Sequence, residues 1–133
     1  MIDGTGDGPI NQRSLQIPAL IKLSLHENQG LVLGEGKGIW ALVHIADVAA
    51  FYGLLVRKLL SGETINHGRN GYHFLEAGET TWLRISQCIA EAGHALGLFF
   101  SAEVRSISPE DMKKALDIPF LNAWMVEVIW GSK

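Results

Sequence analysis

The residues whose types could do chemistry are five histidines, one cysteine, a handful of serines and two glycine clusters. An imidazole is a metal ligand as well as an acid or base near neutral pH, but His26, His44, His67, His73 and His94 include no pair spaced with a Glu to share one helix face. No metal site is expected. His44 stands three residues before Asp47 at a strand-to-helix junction, where a catalytic pair is one reading. The plainer reading is adopted: Asp47 is the helix N-cap and His44 a half-buried strand residue. Cys88, between Ile85 and Ile89, reads as a small core hydrophobe without the cationic neighbourhood that makes a thiol reactive. Ser14, Ser24, Ser61 and Ser86 lie in no Gly-x-Ser-x-Gly turn, so a hydrolase nucleophile elbow is missing. Gly4-x-Gly6-x-Gly8 and Gly34-x-Gly36-x-Gly38 invite a phosphate-loop reading, yet the first follows no strand and the second feeds a strand instead of a helix; both are read as turns.

These residues need elements to hold them. The chain opens in a glycine-rich loop, and Ile17, Leu20, Ile21 and Leu25 recur at helical spacing over 14–28, with Gly30 as the stop. Short apolar runs at 31–33 and 39–45 predict two strands flanking the Gly34–Gly38 turn. Asp47 opens a helix whose Val48, Phe51, Tyr52, Leu55, Val56 and Leu59 make a wide apolar face, ended by Ser61-Gly62. A polar connection at 64–71 and a strand at 72–75 follow. Thr80 or Thr81 then caps a helix carrying Trp82, Ile85, Ile89, Ala92 and Leu96, which ends at Gly97. A strand at 102–107 leads to Ser108-Pro109-Glu110-Asp111, a capping-box start with Pro at the first helical position. Ile118-Pro119 interrupts before a last apolar segment, 120–130. The order predicts an α/β fold.

Composition narrows the function classes. A length of 133 residues suits a single domain. A net charge of -3 without a basic run gives no footprint for nucleic acid or anionic membranes. Residues 38–56 carry one formal charge, Asp47, and approach a membrane span in length; an Asp at mid-span argues instead for a strand followed by a helix. One cysteine and an N-terminus without basic and apolar regions fit a reducing, cytoplasmic setting. Hydrophobic residues at 47% against charged ones at 19% undersupply a polar surface, so an apolar face wanting a partner is expected. The glycine-rich opening and the ending Gly131-Ser132-Lys133 after an apolar run look cut from something larger.

The order Ile2-Asp3-Gly4-x-Gly6-x-Gly8-Pro9, Gln16-Ile17-Pro18, Leu33-Gly34-Glu35-Gly36 and Trp40-Ala41-Leu42-Val43-His44-Ile45-Ala46-Asp47-Val48-Ala49 resembles the C-terminal half of extended short-chain dehydrogenases/reductases, the NAD-dependent epimerase/dehydratase proteins. The resemblance covers nearly the whole chain. It implies the C-terminal part of a Rossmann-type fold lacking its N-terminal dinucleotide-binding half, with residues 1–133 as one substrate-binding lobe. A hairpin at the Gly-Glu-Gly turn and an NAD or NADP cofactor near Gly4 are implied as well. The family's Tyr-x-x-x-Lys pair would lie upstream, so no catalytic residue is expected here. Asp3 stands where the family has Tyr, and the C-terminal Asn-Ser-Arg type segment is broken off. Trp40 occupies the position of an Arg that grips a diphosphate, which points to a small carbonyl or alcohol substrate instead of a nucleotide sugar. The implied pocket is Arg13, Gln16, Trp40 and His44. The expected function is an NAD(P)-dependent oxidoreductase or epimerase, inactive as the isolated chain. The alternative is a non-catalytic interaction protein or truncated remnant whose apolar face, with Phe51, Tyr52, Trp82 and Trp124, meets a second copy or the missing half.

Overall fold

The computed structural model describes residues 1–10 and 12–116. Its elements run β1 (Ile2–Asp3), α1 (Gln16–Glu27), β2 (Gly30–Leu33), β3 (Ile39–His44), α2 (Ile45–Leu60), a 3-10 turn (Gly68–Asn70), β4 (Gly78–Thr81), α3 (Trp82–Ala95), β5 (Val104–Ile107) and α4 (Pro109–Leu116). This is an α/β chain, as expected. It divides into two compact units, one made of Met1–Ser14 with Ala41–Glu79, the other of Leu15–Trp40 with the described residues from Thr80 on. The apolar segment at 120–130, its Trp124 and the Ile118-Pro119 interruption lie outside the described residues.

The second unit holds most of the core. β2 lies parallel to β5, Gly30 opposite Val104 through Leu33 opposite Ile107. All four residues of β2 are buried, which explains why its sequence is a continuous apolar run without alternation. Leu20 and Leu23 of α1, Trp82 and Ala90 of α3, Ile107 of β5, Phe99 and Met112 complete the buried apolar set of this unit among the described residues, each large side chain contributing about 1.5–3 kcal/mol of burial. α3 turns Trp82, Ser86, Ala90 and Gly93 inward at spacings of three and four. Cys88 falls on the opposite side and is exposed, which corrects its reading as core. α1 is stopped by Asn28 in the left-handed conformation (φ 52°), not by Gly30. Gly30 belongs to β2 and serves close packing: a Cβ there would lie 2.6 Å from the Ala90 Cβ. Ser108 caps α4 as expected, its hydroxyl accepting from the Asp111 amide (3.1 Å), while the Asp111 carboxylate accepts from that hydroxyl (2.8 Å) and not from the Ser108 amide that a full capping box would use.

The first unit is built on β1 and β3, which run parallel with Ile2 opposite Val43 and Asp3 opposite His44. The three strands β1, β3 and β4 form one sheet in the order β1-β3-β4. The hairpin implied at the Gly-Glu-Gly turn does not form, because β2 takes β5 as its partner and β3 takes β1. The strand expected at 72–75 is also displaced. The first bond to β3 comes from the Ala77 amide to the Leu42 carbonyl (2.7 Å), so pairing begins only there, and Tyr72 and Phe74 project into solvent. No described helix is long and apolar enough to cross a membrane.

Candidate functional site

The C-terminal ends of β1 and β3 lie side by side and set Asp3 in register with His44. Gly4 follows with φ +109°, and a Cβ on it would stand 2.4 Å from the His44 Nε2. Only a residue without a side chain lets the backbone lie flat on that imidazole. His44, not Asp47, is the N-cap of α2: its Nδ1 accepts from the Ala46 amide at 3.2 Å, and Asp47 sits in the first turn, where its charge favours the positive end of the helix. An accepting Nδ1 leaves the neutral ring's proton on Nε2, the nitrogen against Gly4.

The glycine-rich loop then doubles back. Gly6 donates to the Gln12 carbonyl (2.9 Å), the Gln12 amide group donates to the Gly8 carbonyl (2.8 Å), and Thr5 and Arg13 form an antiparallel bridge. This return delivers Ser14 to Asp3, whose Oδ1 accepts from the Ser14 hydroxyl at 2.9 Å. The second carboxylate oxygen, Oδ2, is buried and has no hydrogen-bond partner among the described residues. Around these residues is a cavity of about 180 Å³, lined by Ile2, Asp3, Gly4, Gly6, Gln12, Arg13, Ser14 and Ile45.

Of the residues expected at the site, Gly4 and Arg13 line this cavity and His44 backs Gly4. Gln16 and Trp40 are not among its lining residues. Gln16 is the first residue of α1, and Trp40 packs edge-on against Trp82 in the second unit, with ring centroids 6.3 Å apart. Asp3 and Ser14 were missed as a bonded pair. The signal was present, since an Asp where the resembling family has Tyr is out of place at the end of a short apolar strand. Burial of Trp82, at 1% exposure, removes it from the candidates for an exposed partner face.

The arrangement can bind a small polar molecule. Arg13, the Ser14-bonded carboxylate of Asp3 and the glycines Gly4 and Gly6 border a space smaller than the roughly 300–1,000 Å³ of pockets for larger ligands. Nucleophilic catalysis has no support, because the Ser14 hydroxyl is turned to a carboxylate and no described histidine bonds a serine or cysteine. The cavity is smaller than a dinucleotide, and in the second glycine turn Gly36 packs closely on β2 and α3: a Cβ there would meet the Val32 side chain at 2.3 Å and the Leu83 amide at 2.7 Å. Among the described residues no group of three His, Cys, Asp or Glu side chains is placed to hold a metal ion.

A second cavity, about 460 Å³ and almost wholly apolar, lies in the other unit between α1 and α3, lined by Ile21, Leu25, Ile85, Cys88, Ile89 and Leu98 among others. No protein-family model matches the chain, and no solved structure matches it. Among curated proteins, the oxidase ucsJ of Acremonium sp is 27% identical over 136 residues, an alignment covering 96% of this chain and 37% of that protein. The chain is thus similar over nearly its whole length to part of an oxidase, and spans little more than a third of it.

Proposed function

We propose that this chain is the substrate-binding part of an oxidoreductase that acts on a small carbonyl or alcohol, with hydride carried by NAD or NADP held outside the described residues. The observation that carries the reading is the similarity to an oxidase along 96% of the chain. Two structural features support it. The parallel pairs β1/β3 and β2/β5 are of the kind a Rossmann-type sheet contains. The cavity at Asp3, Gly4 and Arg13 has the size of a compound of few carbons and lies beyond the C-terminal ends of two parallel strands, where ligands of α/β sheets collect.

In this reading Arg13 orients the polar end of the substrate and the Gly4 main chain gives it room to approach. His44 fixes the Gly4 backbone. The described residues include no cofactor cradle, so no redox step is assigned to them, and the purified chain alone is expected to turn over no carbonyl. The test is a titration of the chain with short 2-oxo acids, 2-hydroxy acids and neutral ketones, read by NMR at the His44 ring and the Gly4 amide. Saturable shifts that vanish in Arg13→Ala support the reading. Unmoved resonances across the panel at millimolar ligand, or ketone reduction by the chain alone, overturn it.

A further inference from the structure

The polar cavity of the first unit is bordered by two opposite charges that do not meet. Asp3 and Arg13 both line it, yet neither belongs to an ion pair among the described residues. A carboxylate only accepts hydrogen bonds. The Oδ1 of Asp3 takes the Ser14 proton at 2.9 Å, so Ser14, also a lining residue, offers a ligand only the lone pairs of its oxygen. Oδ2 is buried beyond a ligand's reach, but no described donor bonds to it, so its charge is not offset from behind. Two donors of the lining are already used. The Gly6 amide is spent on the Gln12 carbonyl (2.9 Å) and the Gln12 side-chain amide on the Gly8 carbonyl (2.8 Å). The cavity therefore has an accepting, anionic edge at Asp3 and Ser14 and a donating, cationic one at Arg13.

We infer that the ligand of this cavity is a short 2-hydroxy acid, bound in preference to the 2-oxo acid of the same skeleton. The inference rests on the redox reading above and chooses the alcohol where that reading allows alcohol or carbonyl. The ligand carboxylate meets Arg13, whose guanidinium matches it with two parallel donors. The hydroxyl on the next carbon then donates to the Asp3 and Ser14 edge, which has lone pairs and no proton to give. A 2-oxo acid offers only acceptors there. Its carbonyl oxygen would set a partial negative charge against the Asp3 carboxylate with no hydrogen between them. A site that accepts from a substrate hydroxyl rejects the analogue lacking it far more strongly than apolar contacts separate neighbours in a homologous series. The volume of about 180 Å³ holds the skeleton to a few carbons. A neutral alcohol loses the Arg13 contact. A 2-amino acid meets the same edge with an ammonium and is a separate arm of the test.

The test is calorimetric titration of the full chain with matched 2-hydroxy, 2-oxo and 2-amino acids of one short skeleton. The hydroxy acid is expected to bind roughly tenfold or more tighter than the oxo acid. Asp3→Asn presents an amide that donates as well as accepts, and should bring the two dissociation constants within about threefold of each other; Arg13→Ala should lose both acids alike. Circular dichroism checks the fold of each variant. An oxo acid bound as tightly as the hydroxy acid, or an unchanged preference in folded Asp3→Asn, overturns the inference and leaves the redox reading standing, because a ligand still binds. A 2-amino acid bound more tightly than the hydroxy acid overturns the hydroxyl in favour of an ammonium. If none of the acids binds, the inference and the redox reading fall together. The comparison in the unmutated chain needs no variant, so it decides even where Asp3→Asn does not fold.

Discussion

His44 does two jobs at one position. Its Nδ1 caps α2 through the Ala46 amide, and its ring face supports Gly4 beside the polar cavity. Removing the ring should therefore affect both stability and binding. His44→Ala is expected to lower stability by about 1 kcal/mol through the lost cap and to loosen the Gly4 backbone. His44→Asn restores a capping oxygen but leaves no ring beneath Gly4. Thermal melts of the two variants, read beside Gly4 amide shifts, separate the roles: Asn should recover most of the stability and none of the native Gly4 resonance position. Equal melts for Ala and Asn would remove the cap from the account. Why His44 was not legible as the cap is physical as well. Asp is by far the commoner capping residue, and the sequence offered one three positions later. The deciding quantity is where β3 stops pairing with β1, and that is a tertiary fact.

At the scale of elements, the α2 and α3 helices, the last strand and the Ser108 N-cap could be read from spacing and turn chemistry within a few residues. The pairing could not. Leu31-Val32-Leu33 and the run from Ile39 flank a glycine turn, which is what a hairpin looks like, but β2 is buried on both faces and a strand of that kind needs a parallel neighbour under two helices. The close approach of α3 to that strand rests on Gly30. Gly30→Ala should cost roughly 1–3 kcal/mol by overpacking, and the double variant Gly30→Ala with Ala90→Gly should recover part of it beyond the sum of the two single effects. Strict additivity in denaturant melts would mean that the two positions do not touch.

The far end of α2 carries a local charge effect. Lys58 donates to the Glu63 carboxylate at 2.8 Å and Ser61 donates to its other oxygen at 3.0 Å, and these contacts hold the Glu63 carboxyl below the usual carboxylate range. A carboxylate with a depressed folded pKa contributes stability above its unfolded pKa, and that contribution is lost as pH falls through the folded value. The side chains are exposed, so the stabilising effect is small and screened by salt. NMR titration should place the Glu63 midpoint below that of an unpaired glutamate, and Lys58→Met should raise it; an unchanged midpoint would dissolve the pair.

Over the whole molecule, burial is unevenly shared. Of the fully buried hydrophobic side chains among the described residues, Val43 alone belongs to the first unit, and Leu20, Leu23, Leu31, Trp82, Ala90, Phe99 and Met112 are all in the second. Stability should follow burial. Amide hydrogen exchange is expected to be slowest in β2, β5 and the inner face of α3. Amides of α2, none of whose residues is fully buried, should exchange several orders of magnitude faster. Comparable protection of α2 would show that a core is not what holds it. Among the described residues, Tyr52, Val56, Leu59 and Leu60 of this helix are exposed. Of the pocket the resemblance implies, Gly4 and Arg13 line the cavity at Asp3 and His44 packs on Gly4, whereas Gln16 lies elsewhere because the returning loop ends before α1 begins, and Trp40 because its ring packs on Trp82.

The pairing of β2 with β5 also sets a timetable for synthesis. Gly30 must wait for Val104, about 74 residues later in the chain, and at roughly 5–20 residues per second a ribosome takes about 4–15 s to supply it. For that interval Leu31, Val32 and Leu33 have no strand beside them. A nascent chain with an open apolar edge is a substrate for holding chaperones, and its yield in cells should depend on them.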